Sequence, residues 1–156
     1  MFFNITRELH NSLMIEGIEI KSSASINILG LELDNNLKLT SHINKICCQS
    51  GKQINALKRI KHYLDKSSKM TIYNSYIKSN FNHCSVVWML TNKTNKEKLE
   101  RTNKRAIRFA TNKGHESYEN ICNQEKELNI HQRCLQSTAV LMYKVRKGTT
   151  PCYVKE

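Results

Sequence analysis

The chain has 156 residues, enough for one hydrophobic core but short for several independent domains. Lys and Arg number 25 against 13 Asp and Glu, and the formal charge of +12 favours a polyanionic partner, either nucleic acid or an anionic membrane surface, between which charge alone does not choose. No apolar run approaches the roughly 20 residues that span a bilayer, and the start lacks the basic-then-apolar order of a signal peptide. We therefore expect an intracellular protein, nuclear or cytoplasmic, with no membrane partner and with six mostly buried, reduced cysteines.

The first 35 residues or so are predicted to form strands. Apolar residues alternate on either side of Glu16-Gly17, which predicts a hairpin turn at these two positions. A second apolar-rich run follows and ends at Asp34 to Asn36, a cluster of residues that favour turns. This second run comprises Ile26, Ile28, Leu31 and Leu33.

A long amphipathic helix is predicted to start at Thr40 or Ser41, either of which would cap it. Its core-facing positions recur at offsets of three, four and seven. These positions are Ile43, Ile46, Cys47, Ser50, Ile54, Leu57 and Leu64. On the polar side a cation recurs every seven residues, and we call Lys45, Lys52 and Arg59 the first basic stripe.

The region from about Lys69 to Leu90 is predicted to be a helix that breaks at "SNFNHC". An aromatic stripe at helical spacing indicates core packing, with a base-stacking platform as the alternative. The stripe and its apolar neighbours are Tyr73, Tyr76, Ile77, Cys84, Val87 and Trp88. The polar residues Thr91 to Asn95 are predicted to form a loop.

The segment "KLERTNKRAIRFATNKG", Lys98 to Gly114, predicts a helix with one buried and one cationic side. Gly114 is expected to end this helix. We call its three aligned arginines, Arg101, Arg105 and Arg108, the second basic stripe. A short helix is predicted around Tyr118 to Cys122, and a last helix from about Asn129 to Lys147.

Groups suited to catalysis or metal binding are sparse. Two-metal phosphoryl transfer requires clustered carboxylates, and the nearest pair, Glu32 and Asp34, is better explained by a turn. A structural zinc site needs four ligands, usually as closely spaced pairs, which Cys122, His131 and Cys134 do not supply. A thiol–imidazole pair is not indicated either, since adjacent helical residues point in different directions. The candidates for that pair are Cys48 or Cys84 with His83.

Five segments in order resemble the C-terminal part of the reverse transcriptase of non-LTR retrotransposons, the jockey and CR1-like LINE elements. They are "INILGLELDNNLKLTSHINKI", "SNFNHCSVVW", "KLERTNKRAIRF", "SYENIC" and "QRCLQSTAVLMYKVRKGTTPCYV". The resemblance runs from about Leu13 through nearly the whole chain. Arg105-Ala106 with Arg108 matches the family's "RA-x-R" pattern.

This resemblance implies an α+β fold, with palm and primer-grip strands in residues 1–36 and a helical, thumb-like bundle in residues 37–156. Leu29-Gly30 would belong to the primer-grip hairpin. A thumb contacts the backbone of the template–primer duplex, so the resemblance implies an RNA–DNA hybrid or another duplex as partner. The candidate backbone contacts are the two basic stripes, Lys45, Lys52, Arg59, Arg101, Arg105 and Arg108.

The family is an RNA-directed DNA polymerase that uses Mg²⁺, but its catalytic parts have no counterpart in this chain. The Tyr-x-Asp-Asp motif, the upstream palm aspartate, the fingers and the endonuclease are missing. We therefore expect a truncated, non-catalytic fragment without a cofactor of its own, active only if palm and fingers are supplied in trans. The alternatives are a degenerate remnant without function and a repurposed basic nucleic-acid-binding module.

Overall fold

The computed structural model describes residues 13–20 and 23–151, in which two short hairpins precede a set of helices, and the predicted α+β class is confirmed. The strands are β1 (Leu13–Ile15), β2 (Ile18–Ile20), β3 (Ser25–Ile28) and β4 (Leu31–Asp34). The helices are α1 (Thr40–Arg59), α2 (Lys66–Ile72), α3 (Lys78–Asn82), α4 (Lys93–Thr111), α5 (Tyr118–Glu125) and α6 (Ile130–Lys147). A π turn, Tyr73–Ile77, joins α2 to α3, and 3₁₀ turns occupy Lys61–Tyr63 and Ser85–Leu90.

Both hairpins are antiparallel and close through two-residue turns in which each residue has a positive φ. The predicted turn at Glu16-Gly17 is confirmed, with φ of 50° and 80°. Leu29-Gly30, with φ of 50° and 84°, divides the second apolar run into β3 and β4. Such turns match the right-handed twist of the strands that they join. The pairs next to the turns are Ile15 with Ile18 and Ile28 with Leu31.

The start of α1 depends on a residue from another helix. Thr40 is its first helical residue, and Leu39 occupies the capping position in a left-handed conformation without a side-chain bond. The prediction that Thr40 or Ser41 caps α1 is therefore wrong. Instead the Asn95 side-chain amide donates to the Lys38 carbonyl at 3.2 Å and to Thr40 Oγ1 at 3.1 Å.

Helix α4 is longer at its start than the sequence predicted. Asn92 caps it by accepting from the Asn95 backbone N–H at 2.9 Å. The predicted loop over Thr91 to Asn95 is therefore right for Thr91 and Asn92 and wrong for the three residues that follow. The helix ends at Thr111 because Asn112 takes the left-handed conformation, and Gly114 lies outside it. Asn tolerates that conformation better than most residues, since its short polar side chain can bond locally.

The remaining helix predictions are confirmed in position. The break within "SNFNHC" falls after Asn82, where His83 is extended. The short helix α5 and the last helix α6 lie where they were predicted. Asn129 and Gln132 form a capping box at the start of α6, each side chain bonding the other's backbone N–H. None of the helices in the described ranges is long and apolar enough to cross a membrane.

The hydrophobic core lies between α1, the π turn, α3, α4 and the α5–α6 segment. Tyr73 and Ile77 are buried in it, as predicted for the aromatic stripe, but Tyr76 is 56% exposed and the core prediction is wrong for it. The Trp88 side chain lies outside the part of the chain that the structure describes. Other core residues include Leu31, Leu39, Ile43, Ile54, Phe81, Leu99, Ala106, Ile107, Ala110, Ile121 and Ile130.

A polar cluster crosses the middle of this core. Tyr73 donates its hydroxyl to Asn103 Oδ1 at 2.9 Å, and the Asn103 amide donates to the Tyr118 hydroxyl at 2.9 Å. The guanidinium of Arg133 on α6 donates to Tyr73 Oη at 3.3 Å and to Asn103 Oδ1 at 3.4 Å. Its Nε also donates to the Leu128 carbonyl at 2.9 Å. These bonds tie α4, α5, α6 and the π turn together.

Candidate nucleic-acid interface

The first basic stripe lies on the outward side of α1. Lys45, Lys52 and Arg59 are all exposed, on the opposite side of the helix from the buried Ile43, Cys47 and Ile54. None of the three cations forms a salt bridge with any residue in the described ranges. Their charges therefore face solvent without local neutralisation.

The second basic stripe is only partly as predicted. Arg101 and Arg105 are exposed on α4 and form no salt bridge within the described part of the chain. Arg108 is half-buried, and its Nη2 donates to the Glu116 carbonyl at 3.3 Å. Lys98 is exposed one turn before Arg101 and bonds Asn44 of α1. The Arg108 guanidinium therefore binds the loop before α5 and is less available to an outside partner. Lys98 is an additional exposed cation on α4.

The two helices that carry the stripes pack side by side and run parallel. Asn95 contacts Thr40, and Lys98 contacts Asn44 further along both helices, so the contacts advance in the same direction. Packed helices have axes roughly 8–10 Å apart. The exposed cations of α1 and α4 therefore lie on two adjacent, parallel helices.

Acidic residues are scarce in and between the two basic stripes. From Asn35 to Lys96 the chain has eleven Lys or Arg and one acidic residue, Asp65, whose side chain caps α2. Helix α1 contains no acidic residue at all. This long interval with a single carboxylate is a sequence signal that periodicity alone misses, and it makes the local potential more positive than the net charge suggests.

Most of the acidic side chains that the structure describes are used in local contacts. Glu125 and Glu127 form salt bridges with Lys66 and Lys78, at 2.8 Å and 2.5 Å. Glu100 accepts the Ile130 backbone N–H at 3.1 Å. Glu97 is the acidic residue on the open side of α4, exposed one turn before Arg101.

An open groove of about 580 Å³ runs beside the first basic stripe, between α1 and the π turn. We call it the α1–Tyr76 groove. It is lined by Lys45, Cys48, Gln49, Lys52, Gln53, Ala56 and Tyr76. Cations, amides and one exposed aromatic ring therefore lie around a single concave surface.

The turn predicted to resemble a primer grip is held against the start of the second 3₁₀ turn. The Leu29 carbonyl lies 3.1 Å from His83 Nε2, and the Leu29 side chain is 89% exposed. A Cβ added at Gly30 would lie 3.7 Å from the same nitrogen, which is ordinary contact, so the positive φ is what favours glycine there. A role of Leu29 and Gly30 in holding a primer stays a prediction.

Glu32 and Asp34 do not form an Mg²⁺ site. Glu32 Oε1 accepts from the Ser41 hydroxyl at 2.8 Å, and Asp34 Oδ1 accepts two backbone N–H groups of the turn that follows β4. Both carboxylates are therefore occupied by local hydrogen bonds. In the described ranges no three His, Cys, Asp or Glu side chains come close enough to hold a metal ion.

The cysteines of the described ranges are free thiols. Cys122 and Cys134 are buried, and burial raises the pKa of both thiols, which makes them less reactive. Cys48 is exposed in the α1–Tyr76 groove, and Cys152 lies outside the described residues.

Comparison of the chain with protein-family models, curated proteins and solved structures gave no match.

Proposed function

We propose that this chain is a non-catalytic, C-terminal fragment of a non-LTR reverse transcriptase that binds the backbone of duplex nucleic acid through α1 and α4. The single observation that carries the proposal is the presence, on two adjacent and parallel helices, of exposed cations that form no salt bridge with any described residue. The resemblance in the sequence supports an RNA–DNA hybrid as the duplex.

The dimensions of the first basic stripe suit a nucleic-acid strand. Lys45 and Arg59 are fourteen residues apart, which on a helix of 1.5 Å rise is about 21 Å. Phosphates of one strand repeat every 3.4 Å, so this stripe spans roughly six of them. The adjacent helix α4 adds Lys98, Arg101 and Arg105, and the axes of packed helices lie roughly 8–10 Å apart.

The chemistry of these groups favours backbone binding over base reading. Lysine and arginine at regular intervals on a helix surface neutralise phosphates, and such contacts position a duplex without carrying sequence information. A repurposed DNA-binding module, the main alternative, would instead discriminate between sequences. Binding to two duplexes of equal length and different sequence separates these alternatives.

The test is the salt dependence of duplex binding by the full chain. We expect the Arg101→Ala/Arg105→Ala variant to flatten the log-log salt slope by about 1.8, since each lost phosphate contact is worth about 0.9. Adding Lys45→Ala and Lys52→Ala would bring the change to about 3.6 by the same relation. Fluorescence anisotropy with a labelled RNA–DNA hybrid measures the slope.

The matched control is Lys144→Ala/Arg146→Ala, which removes two exposed cations from the far end of α6. It changes net charge by the same amount as the arginine variant but leaves both basic stripes intact. Equal flattening in the two variants would mean that net charge alone drives binding. An unchanged slope in the arginine variant would refute the proposed interface.

A further inference from the structure

The α1–Tyr76 groove brings together lysines, amides and one aromatic ring. Binding of a duplex backbone requires only the lysines. Lys45 and Lys52 stand along its α1 wall, and Tyr76 forms the wall contributed by the π turn. Its volume of about 580 Å³ lies in the range typical of pockets for small ligands. A groove of this size fits one nucleotide and is too small for a duplex.

Tyr76 is available as a stacking surface. Its neighbours Tyr73 and Ile77 face the core, whereas more than half of the Tyr76 side chain is exposed. No hydrogen bond or ring contact to another described side chain involves the Tyr76 ring or hydroxyl. The residue lies within a π turn, a feature that is frequent at functional sites.

Gln53 supplies a side-chain amide to the lining of the same groove. It is only 7% exposed, and its Oε1 accepts from the Asn80 amide at 2.8 Å. That bond fixes the orientation of the amide, so Nε2 is left without a partner among the described residues while Gln53 lines the groove. An amide N–H group in this position matches a carbonyl oxygen on a ligand.

We propose that the α1–Tyr76 groove binds an unpaired nucleotide of single-stranded nucleic acid that continues from the bound duplex. The base stacks on the Tyr76 ring, Gln53 Nε2 donates to a base carbonyl, and Lys45 and Lys52 contact the flanking phosphates. Stacking on an aromatic side chain with cations along the backbone is how proteins bind single strands with little sequence preference. This inference rests on the proposed function, because the same lysines belong to the first basic stripe.

The experiment compares two probes with the full chain, a blunt RNA–DNA hybrid and the same hybrid with a single-stranded overhang of about six nucleotides. We expect the overhang to increase the affinity of the wild-type chain. Tyr76→Ala should lower affinity for the overhang probe by about 5-fold or more and leave the blunt probe unaffected. Tyr76→Phe keeps the ring and should retain the affinity.

Tyr63→Ala is the matched control, because Tyr63 is 88% exposed in the 3₁₀ turn after α1 and does not line the groove. It should bind both probes as the wild type does. Circular dichroism of each variant confirms that the helices are retained.

The outcomes separate the two proposals. If Tyr76→Ala binds the overhang probe as tightly as the wild type, while the arginine variant still weakens blunt binding, the groove inference is overturned and the proposed function stands. If Tyr63→Ala weakens overhang binding equally, stacking in the groove is also overturned. If the wild type binds neither probe, both the proposed duplex binding and the groove inference are refuted.

Discussion

Replacement of Tyr73 by Phe tests the polar cluster that holds the helices together. The substitution removes a hydroxyl that donates to Asn103 Oδ1 at 2.9 Å and accepts from Arg133 Nη2 at 3.3 Å. The ring remains, so no large cavity forms. Asn103 is fully buried and Arg133 is 8% exposed, which means that water does not readily replace the lost hydroxyl.

The expected loss of stability in Tyr73→Phe follows from the hydrogen bonds that remain in the variant. Asn103 Oδ1 still accepts from Arg133 Nη2 at 3.4 Å, so the amide oxygen is not left unpaired. The main loss is one hydrogen bond to a charged group, typically worth about 1.5–3 kcal/mol. We expect Tyr73→Phe to lower the free energy of unfolding by about 2 kcal/mol. In urea denaturation followed by circular dichroism, this corresponds to a midpoint lower by about 1 M.

The difference in unfolding free energy between the wild type and Tyr73→Phe should decrease at alkaline pH. Burial raises the pKa of Tyr73 to about 12, from 10 in the unfolded chain, although Arg133 partly opposes the shift. The neutral phenol therefore contributes stability that is fully present below pH 10 and is lost as the pH rises through 12. Phenylalanine does not titrate, so the gap between wild type and variant should narrow by about 1.4 kcal/mol at pH 11.

Two results would refute this reasoning. A loss below about 0.5 kcal/mol at neutral pH would mean that the hydroxyl is not an essential partner of the buried guanidinium. A gap that stays constant up to pH 11 would mean that the phenol is not buried as described. Tyr76→Phe is the control, since it removes an exposed hydroxyl without a partner in the described residues and should leave stability unchanged.

Three further predictions concern single residues. Arg105→Ala should flatten the salt slope of duplex binding by about 0.9, and Arg108→Ala by clearly less, because the Arg108 guanidinium bonds the Glu116 carbonyl. Asn129→Ala should destabilise the chain by about 1 kcal/mol in urea denaturation, because it removes the capping box of α6. Iodoacetamide should alkylate Cys48 faster than Cys122 in the folded chain, as followed by peptide mass spectrometry, because Cys48 is exposed and Cys122 is buried with a raised pKa.

The features that the sequence predicted correctly are those with local causes. The turn at Glu16-Gly17 depends on two neighbouring residues that accept positive φ. The length of α6 follows from apolar periodicity and its start from Asn129, whereas α1 ends at Arg59, before the predicted core-facing position Leu64. The α+β class follows from the change of period after Asp34.

The features that could not be predicted from the sequence depend on contacts between distant segments. Asn95 lies in a polar stretch typical of a loop, yet its amide is buried against the start of α1 and extends α4. Arg108 aligns with Arg101 by spacing, but a carbonyl beyond the helix binds its guanidinium. Tyr76 has the spacing of a core residue, and helical periodicity does not reveal that its π turn leaves the ring exposed.

The dependence of α1 on Asn95 also bears on the order of events during synthesis. The residue that bonds the first turn of α1 lies 55 positions later in the chain. At translation rates of about 5–20 residues per second, α1 emerges roughly 3–11 s before its partner. A nascent chain that ends before α4 would have a frayed α1 start, with only one of the two basic stripes. The ability to hold a duplex should therefore arise late and in one step, once α4 has docked.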